Sequence, residues 1–105
     1  MSGPLTGIRV FDLTRVLAGP SCTQILGDLG ADIIKIERPE VGDDTRKYGP
    51  PFVLDVDGIE TTESGYYLSA NRNKRSVTLN LTSAQGQSLA KRMINQCQDL
   101  NHDFF

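Results

Sequence analysis

The chain has 105 residues, enough for one small domain but short for a doubly wound sheet covered by helices on both faces. Eleven basic against 13 acidic residues leave a net charge of -2, which excludes a dedicated nucleic-acid binder built on a basic footprint. No apolar run approaches the length of a membrane span, and Met1-Ser2-Gly3-Pro4 has neither a signal core nor an Arg-rich amphipathic start. The sequence therefore predicts a soluble, cytoplasmic protein with no membrane partner, leaving open mitochondrial or peroxisomal import of a longer form. Cys22 and Cys97 make no Cys-x-x-Cys pair, which points to ordinary buried thiols in a reduced compartment rather than to a disulfide or a metal site.

The organising stretch runs from Ile8 to Arg38. Ile8, Val10, Phe11 and Leu13, with Arg9 and Asp12 interposed, predict a first strand, and Ile33, Ile34 and Ile36 predict a second. Both have the apolar density of strands buried on both faces. Between them Cys22, Ile25, Leu26 and Leu29 fall at i, i+3, i+4 and i+7, the stripe of a helix with Pro20 in its first turn and Gly30 at its C-terminal cap. A strand, a helix and a strand in about 30 residues is the minimal crossover of a parallel sheet. Ligands of such sheets bind beyond the carboxyl ends of the strands, here the loop Thr14 to Pro20 and the residues just after Ile36.

From Arg38 to Gly65 the chain is punctuated by Pro39, Gly42, Gly49, Pro50, Pro51, Gly58 and Gly65 and reads as one long loop. It is either a lid or binding loop or, for its inner part Leu54 to Thr62, a tolerated surface insertion. Tyr66, Tyr67 and Leu68 suit a short helix and Asn71 to Asn73 a sharp reversal. Ser76 to Leu81 alternates apolar and polar residues, which predicts a third, peripheral strand. Thr82 followed by Gln85 fits a capping box opening a last helix from Ser83 to about Gln96, with Leu89, Met93 and Cys97 on one face. Gly86 weakens that helix by roughly 1 kcal/mol relative to Ala. The tail from Gln98 to Phe105 has no periodicity.

The standard phosphate fingerprints are missing: Ala18-Gly19-Pro20 is not a G-x-G-x-x-G turn, and no G-x-x-x-x-G-K-[ST] occurs. Gly19 and Pro20 still lead into a helix N-terminus, where backbone amides with the Ser21 and Thr23 hydroxyls can receive an anion; a plain strand-to-helix turn is the other reading. Glu37 closes the second strand roughly where a Rossmann unit places its ribose-binding acid, and Arg38 beside it suits a phosphate. Arg46-Lys47 and the group Arg72, Lys74 and Arg75 are either solvated faces or phosphate grips. His102 has no evident partner. No spacing marks Asp12, Asp28, Asp32, Asp43 or Asp44 as a nucleophile or general base, and Asp28 and Asp32 flank a helix end, where solvated or capping roles suffice.

Several longer pieces carry a resemblance: Pro4-Leu5-x-Gly7-Ile8-Arg9-Val10, then DLTRVLAGP, Cys22-Thr23-Gln24, LGDLGADIIKIERP, GDDTR, GPPF and NRNKRSVTLNL. In this order, from residue 4 to about 96, they closely resemble the N-terminal region of class III CoA-transferases, the CaiB/BaiF family. The resemblance implies an α/β fold, the N-terminal part of a Rossmann-like open parallel sheet of about three strands with flanking helices, incomplete relative to the family fold. It implies an enzyme that moves coenzyme A from an acyl-CoA to a carboxylate through an aspartate nucleophile, by a mixed anhydride and an aspartyl-CoA thioester, with acyl-CoA as substrate and no metal. Full-length members are interlocked homodimers.

The same resemblance maps the coenzyme A site onto Arg15, Val16, Leu17 and Ala18, onto Arg38, and onto Leu79, Asn80, Leu81 and Thr82. Formyl-CoA transferases carry His and Gln where this chain has Arg15 and Leu17, so the RVLAGP form leans toward members handling dicarboxylic acyl groups. The family's next strand, ending in Glu-Asn-Phe or Glu-Asn-Tyr, and its catalytic aspartate are not found in the sequence. Residues 1–97 are accordingly read as the N-terminal CoA-binding part of a CoA-transferase large domain. Residues 98–105 are read as the divergent tail of a truncated isoform or mispredicted gene. The chain alone is then expected to be inactive, no catalytic residue is assigned, and Asp12, Asp43 and Asp44 are not promoted in place of the nucleophile. The alternative is a nonenzymatic module that binds an adenine nucleotide or pairs with a full-length subunit.

Overall fold

The computed structural model describes residues 3–97 and 99–101. Along the chain run β1 (Arg9–Asp12), α1 (Ala18–Asp28), β2 (Asp32–Glu37), a 3-10 turn (Asp44–Lys47), β3 (Phe52–Leu54), β4 (Glu60–Ser64), α2 (Gly65–Ala70), β5 (Lys74–Thr78), α3 (Ala84–Ile94) and β6 (Asp99–Asn101). No helix among the described residues is long and apolar enough to cross a membrane.

Strand alternation decides the layers. β1 pairs parallel to β2 with Val10 opposite Ile33 and Phe11 opposite Ile34, and β2 pairs parallel to β5 with Ile36 opposite Val77. Val10 and Ile33, with Ala31, face one way and pack against Leu26 of α1, Leu5 and Ile8. Phe11, Ile34 and Ile36 face the other way and pack against Ala90, Met93 and Ile94 of α3, with Leu13, Val77, Leu79 and Cys97. The parallel sheet has four strands in the order β5-β2-β1-β6 with a helix on each face, which matches the α/β class expected from the sequence with one strand more than the three expected, and β5 is an edge strand.

Several expectations change. In α1 the residues turned inward are Pro20, Thr23, Gln24 and Gly27, with Leu26 half-buried, while Cys22, Ile25 and Leu29 are exposed. The cause is polar: the Thr23 hydroxyl donates to Asp12 Oδ2 at 2.8 Å. Gln24 donates to the Ser69 carbonyl at 3.1 Å and accepts the Arg72 amide at 2.9 Å. The segment from Arg38 to Gly65 is not one loop; it holds the 3-10 turn and an antiparallel hairpin, β3 and β4, with Phe52 opposite Ser64 and Leu54 opposite Glu60. The hairpin tip is closed by Asp55 Oδ1, which accepts the amides of Asp57 and Ile59, and by Gly58 at φ 77°. β5 starts at Lys74 and ends at Thr78, earlier than the alternation places it.

The last helix is capped by Ser83, whose Oγ accepts the Gly86 amide at 3.0 Å, rather than by Thr82, whose hydroxyl donates to Asn80 Oδ1. Its inward face is Gly86, Ala90, Met93 and Ile94, and Leu89 is exposed. Within the tail set apart as 98–105, Asp99–Asn101 forms β6, parallel to β1 with Leu100 opposite Phe11. Without it, that edge of β1 would leave peptide groups unpaired over a buried core, so a strand forms where apolar periodicity is lacking. The remaining tail residues, including His102, Phe104 and Phe105, lie outside the described residues, as do Met1 and Ser2.

Candidate functional site

Three strands end side by side, and each runs into a loop: β1 into Leu13–Leu17, β2 into Arg38–Asp43, and β5 into Leu79–Thr82. Between these loops lies a cleft of about 620 Å³. Leu13, Ile36, Leu79 and Leu81 give it apolar walls, and Arg15, Lys35, Arg38, Asn80 and Thr82 bring polar or cationic groups. Its position is the one expected for a ligand of a parallel sheet.

Of the residues singled out from the sequence, Arg15, Arg38, Leu79, Asn80, Leu81 and Thr82 line this cleft together. Val16, Leu17 and Ala18 do not line it. Val16 has φ 70° and a half-buried side chain; Leu17 is the N-cap residue of α1, and Ala18 opens that helix with its side chain exposed. Arg38 is exposed and donates to Asp44 Oδ1 at 2.5 Å and to the Gly42 carbonyl at 3.3 Å. Asn80 Oδ1 accepts the Thr82 amide and hydroxyl, closing the turn that leads to the N-terminus of α3.

Behind the cleft lies a buried ionic layer. Glu37 Oε1 accepts from Arg46 Nε at 2.8 Å and from the Asp43 amide at 2.8 Å; Oε2 accepts from Arg46 Nη2 at 2.7 Å, from the Tyr67 hydroxyl at 3.2 Å and from Ser76 Oγ. Burial alone would raise this carboxyl, but the hydrogen bonds from Arg46, Ser76 and the Asp43 amide prevail and hold it at about 2. Both oxygens are thus engaged by protein donors, which disfavours Glu37 as a ribose acceptor. The Arg46 guanidinium stacks 3.8 Å from the Tyr67 ring centroid, and the hydrogen bond to Glu37 raises its pKa further. Burial and the adjacent Glu37 push the Tyr67 phenol up.

Lys35 donates to Asp43 Oδ2 at 2.9 Å and to the Thr14 carbonyl at 3.1 Å, with both side chains of the ion pair 1% exposed. Asp43 is lowered: burial opposes, but the Thr45 amide and Lys35 outweigh it. Lys74 donates to the Pro20 carbonyl and to Asn71 Oδ1, each at 2.9 Å, and stands 3.5 Å from Asp12 Oδ2. Burial pulls its ammonium down to about 8 against the attraction of Asp12.

Most of the basic groups singled out from the sequence are therefore paired with acceptors of the chain itself. Arg46 and Lys74 belong to this layer, and Arg72 and Arg75 form surface pairs with Asp28 and Asp32. Thr23 is committed to Asp12 and does not stand ready as an anion donor at the start of α1. Sequence reasoning missed Lys35 and Asp43 as shapers of the site. The available signal was a lysine two residues before Glu37 in an otherwise apolar strand, since both must share one buried face. Among the described residues no group of three or more His, Cys, Asp or Glu side chains is placed to hold a metal ion.

Comparison with known proteins gives a consistent result. The description "CoA-transferase family III" matches residues 5–100. Succinyl-CoA:glutarate CoA-transferase of Mus musculus is 53% identical over 94 residues, 90% of this chain and 20% of that protein. Formyl-CoA:oxalate CoA-transferase of Escherichia coli strain CFT073 is 44% identical over 104 residues, 99% of this chain and 23% of that protein. The crystal structure of a CaiB/BaiF family protein from Brucella suis superposes with a TM-score of 0.83 at 44% identity, covering 95% of this chain and 25% of that one. The chain thus spans roughly a fifth to a quarter of the length of the relatives it matches. With the family pattern covering nearly all of its residues, the chain belongs to CoA-transferase family III.

Proposed function

We propose that the cleft at the strand ends binds coenzyme A, and that the chain supplies the coenzyme-A-binding part of an acyl-CoA:carboxylate CoA-transferase. The observation that carries this is the convergence of Arg15 and Arg38 with the Leu79–Thr82 turn around one partly apolar cleft. Guanidinium groups suit the phosphates of coenzyme A, and apolar walls suit its adenine or pantetheine portions. Arg38 takes the phosphate by exchanging its exposed bond to Asp44, and Arg15 lines the same cleft. A dicarboxylic acyl group is the favoured cargo, supported by the RVLAGP sequence and by the 53% identity to the succinyl-CoA:glutarate relative.

Transfer itself, through an aspartyl thioester and in an interlocked homodimer, belongs to a longer protein in this proposal. The 105 residues bind without turning over, in a cytoplasmic setting. Calorimetric titration of the chain with coenzyme A, ATP and NAD tests the binding reading. Coenzyme A is expected to bind, with Arg38→Gln weakening it roughly tenfold through loss of a charge-assisted contact. Equal binding of all three ligands supports the nonenzymatic nucleotide module instead, and binding of none overturns both. Steady turnover of succinyl-CoA and glutarate by this chain alone would refute the inactive-fragment reading.

A further inference from the structure

The loop between β1 and α1 reaches the cleft through a backbone conformation that its sequence disfavours. Val16 sits at φ 70°, a left-handed value that β-branched residues rarely adopt. Its amide donates to the two carboxylate oxygens of Asp43, at 3.3 and 3.2 Å, 27 residues further along the chain. Asp43 is itself fixed. Lys35 donates to its Oδ2, and the Thr45 amide and hydroxyl donate to its Oδ1 at 3.0 and 2.9 Å. The same Lys35 ammonium holds the Thr14 carbonyl, so one ion pair ties the loop before α1 to the end of β2 and to the 3-10 turn.

We propose that Asp43 is a positioning residue for ligand binding: it holds Val16 in the left-handed conformation and thereby fixes Thr14 and Arg15 at the mouth of the cleft. The inference rests on the coenzyme A reading for its ligand and on the loop geometry for its mechanism. Without the carboxylate, Val16 relaxes to negative φ and carries Arg15 with it.

The full 105-residue chain is titrated with coenzyme A. Asp43→Asn keeps the side-chain shape and removes the charge, and is expected to weaken binding roughly 5- to 30-fold, the factor equivalent to the cost of a left-handed residue. Adding Val16→Asn, a side chain that tolerates that region, is expected to restore most of the loss. A purely stabilising ion pair would show no such recovery. Unchanged affinity in folded Asp43→Asn, or no recovery in the double variant, overturns the proposal. If Asp43→Asn does not melt cooperatively, Val16→Pro replaces it, because it forces negative φ and leaves the Lys35–Asp43 pair in place; affinity equal to the unsubstituted chain overturns the proposal. Hydrogen exchange of the Val16 amide needs no ligand. It is expected to be slow in the unsubstituted chain and roughly 5- to 30-fold faster in Asp43→Asn. Should coenzyme A not bind at all, the ligand reading fails and this amide decides the positioning role, an unprotected Val16 amide overturning it.

Discussion

Gly86 separates two forces that usually point the same way. It lies in the first turn of α3 directly beneath the Asn80–Ser83 turn, and a methyl group there would stand 1.7 Å from the Asn80 carbonyl oxygen, 2.7 Å from its carbon and 3.0 Å from Ser83 Oγ. By helix propensity alone, Gly86→Ala gains about 1 kcal/mol. Against this, backbone rather than a flexible side chain blocks the methyl, and the two must separate by roughly 1.3 Å to reach even a tight contact. Overpacking costs about 1–3 kcal/mol, and displacement of a backbone carbonyl belongs at the upper end. The net expectation is a loss of about 2 kcal/mol, a fall of roughly 8–16 °C in Tm for a domain of this size. Because Leu79–Thr82 line the cleft, coenzyme A affinity should fall with it. Thermal and urea unfolding followed by circular dichroism, with calorimetric titration beside them, measure both. A melting temperature at or above that of the unsubstituted chain would show that helix propensity prevails and that the Asn80 carbonyl is not held over Gly86.

Glu37, lowered from 4.5 to about 2, contributes stability that is complete above pH 4.5 and is lost as pH falls toward 2, about 3 kcal/mol in all. Glu37→Gln should therefore flatten the acid limb of stability against pH, and an unchanged slope in urea titrations counts against the Arg46 pairing. Ser83→Ala should cost about 1 kcal/mol as a lost N-cap, while Gln85→Ala stays within about 0.5 kcal/mol; equal losses in chemical denaturation would restore the Thr82–Gln85 capping box. Native-state reaction with a thiol reagent should modify exposed Cys22 at least about tenfold faster than Cys97, whose thiol is half-buried and raised by burial. Mass spectrometry of the peptides reads the order, and the reverse order would place the inward face of α1 elsewhere.

The strands are legible in the sequence because Val10, Phe11, Ile33, Ile34 and Ile36 bury on both sides of a parallel sheet and so form dense apolar runs. The face of α1 is not, because periodicity counts apolar residues whereas the sheet offers this helix a carboxylate. Asp12 draws Thr23 inward, Gln24 bridges to Ser69 and Arg72, and the stripe Cys22, Ile25 and Leu29 is left outside. The hairpin escapes for a related reason. Glu60–Ser64 contains no apolar residue, and backbone pairing with side-chain bonds places it, Thr61 donating to the Val53 carbonyl at 2.6 Å and Ser64 to the Tyr48 carbonyl at 2.5 Å. In the cleft, Arg38 follows from its position one residue past a strand. Asp43 does not, because its role depends on a fold-back of the chain that no local spacing encodes.

Along the α1 side of the sheet the strands change character toward their carboxyl ends. Val10 and Ile33 give way two residues later to Asp12 and Lys35, and then to Glu37, whereas Phe11, Ile34 and Ile36 keep the α3 side apolar. Buried ion pairs add little net stability, because desolvation offsets most of their attraction, although removing one partner costs about 3–5 kcal/mol. Apolar side chains at these positions would hold the sheet as well. They would not hold the loops: Lys35 bonds the Thr14 carbonyl, Asp43 the Val16 amide, Glu37 the Asp43 amide and Lys74 the Pro20 carbonyl. The first three of these charged groups tie backbone of the loops around the cleft, and Lys74 ties β5 to the first turn of α1. The apolar half of this core therefore secures the sheet, and the ionic half secures the loops that the sheet presents to a ligand.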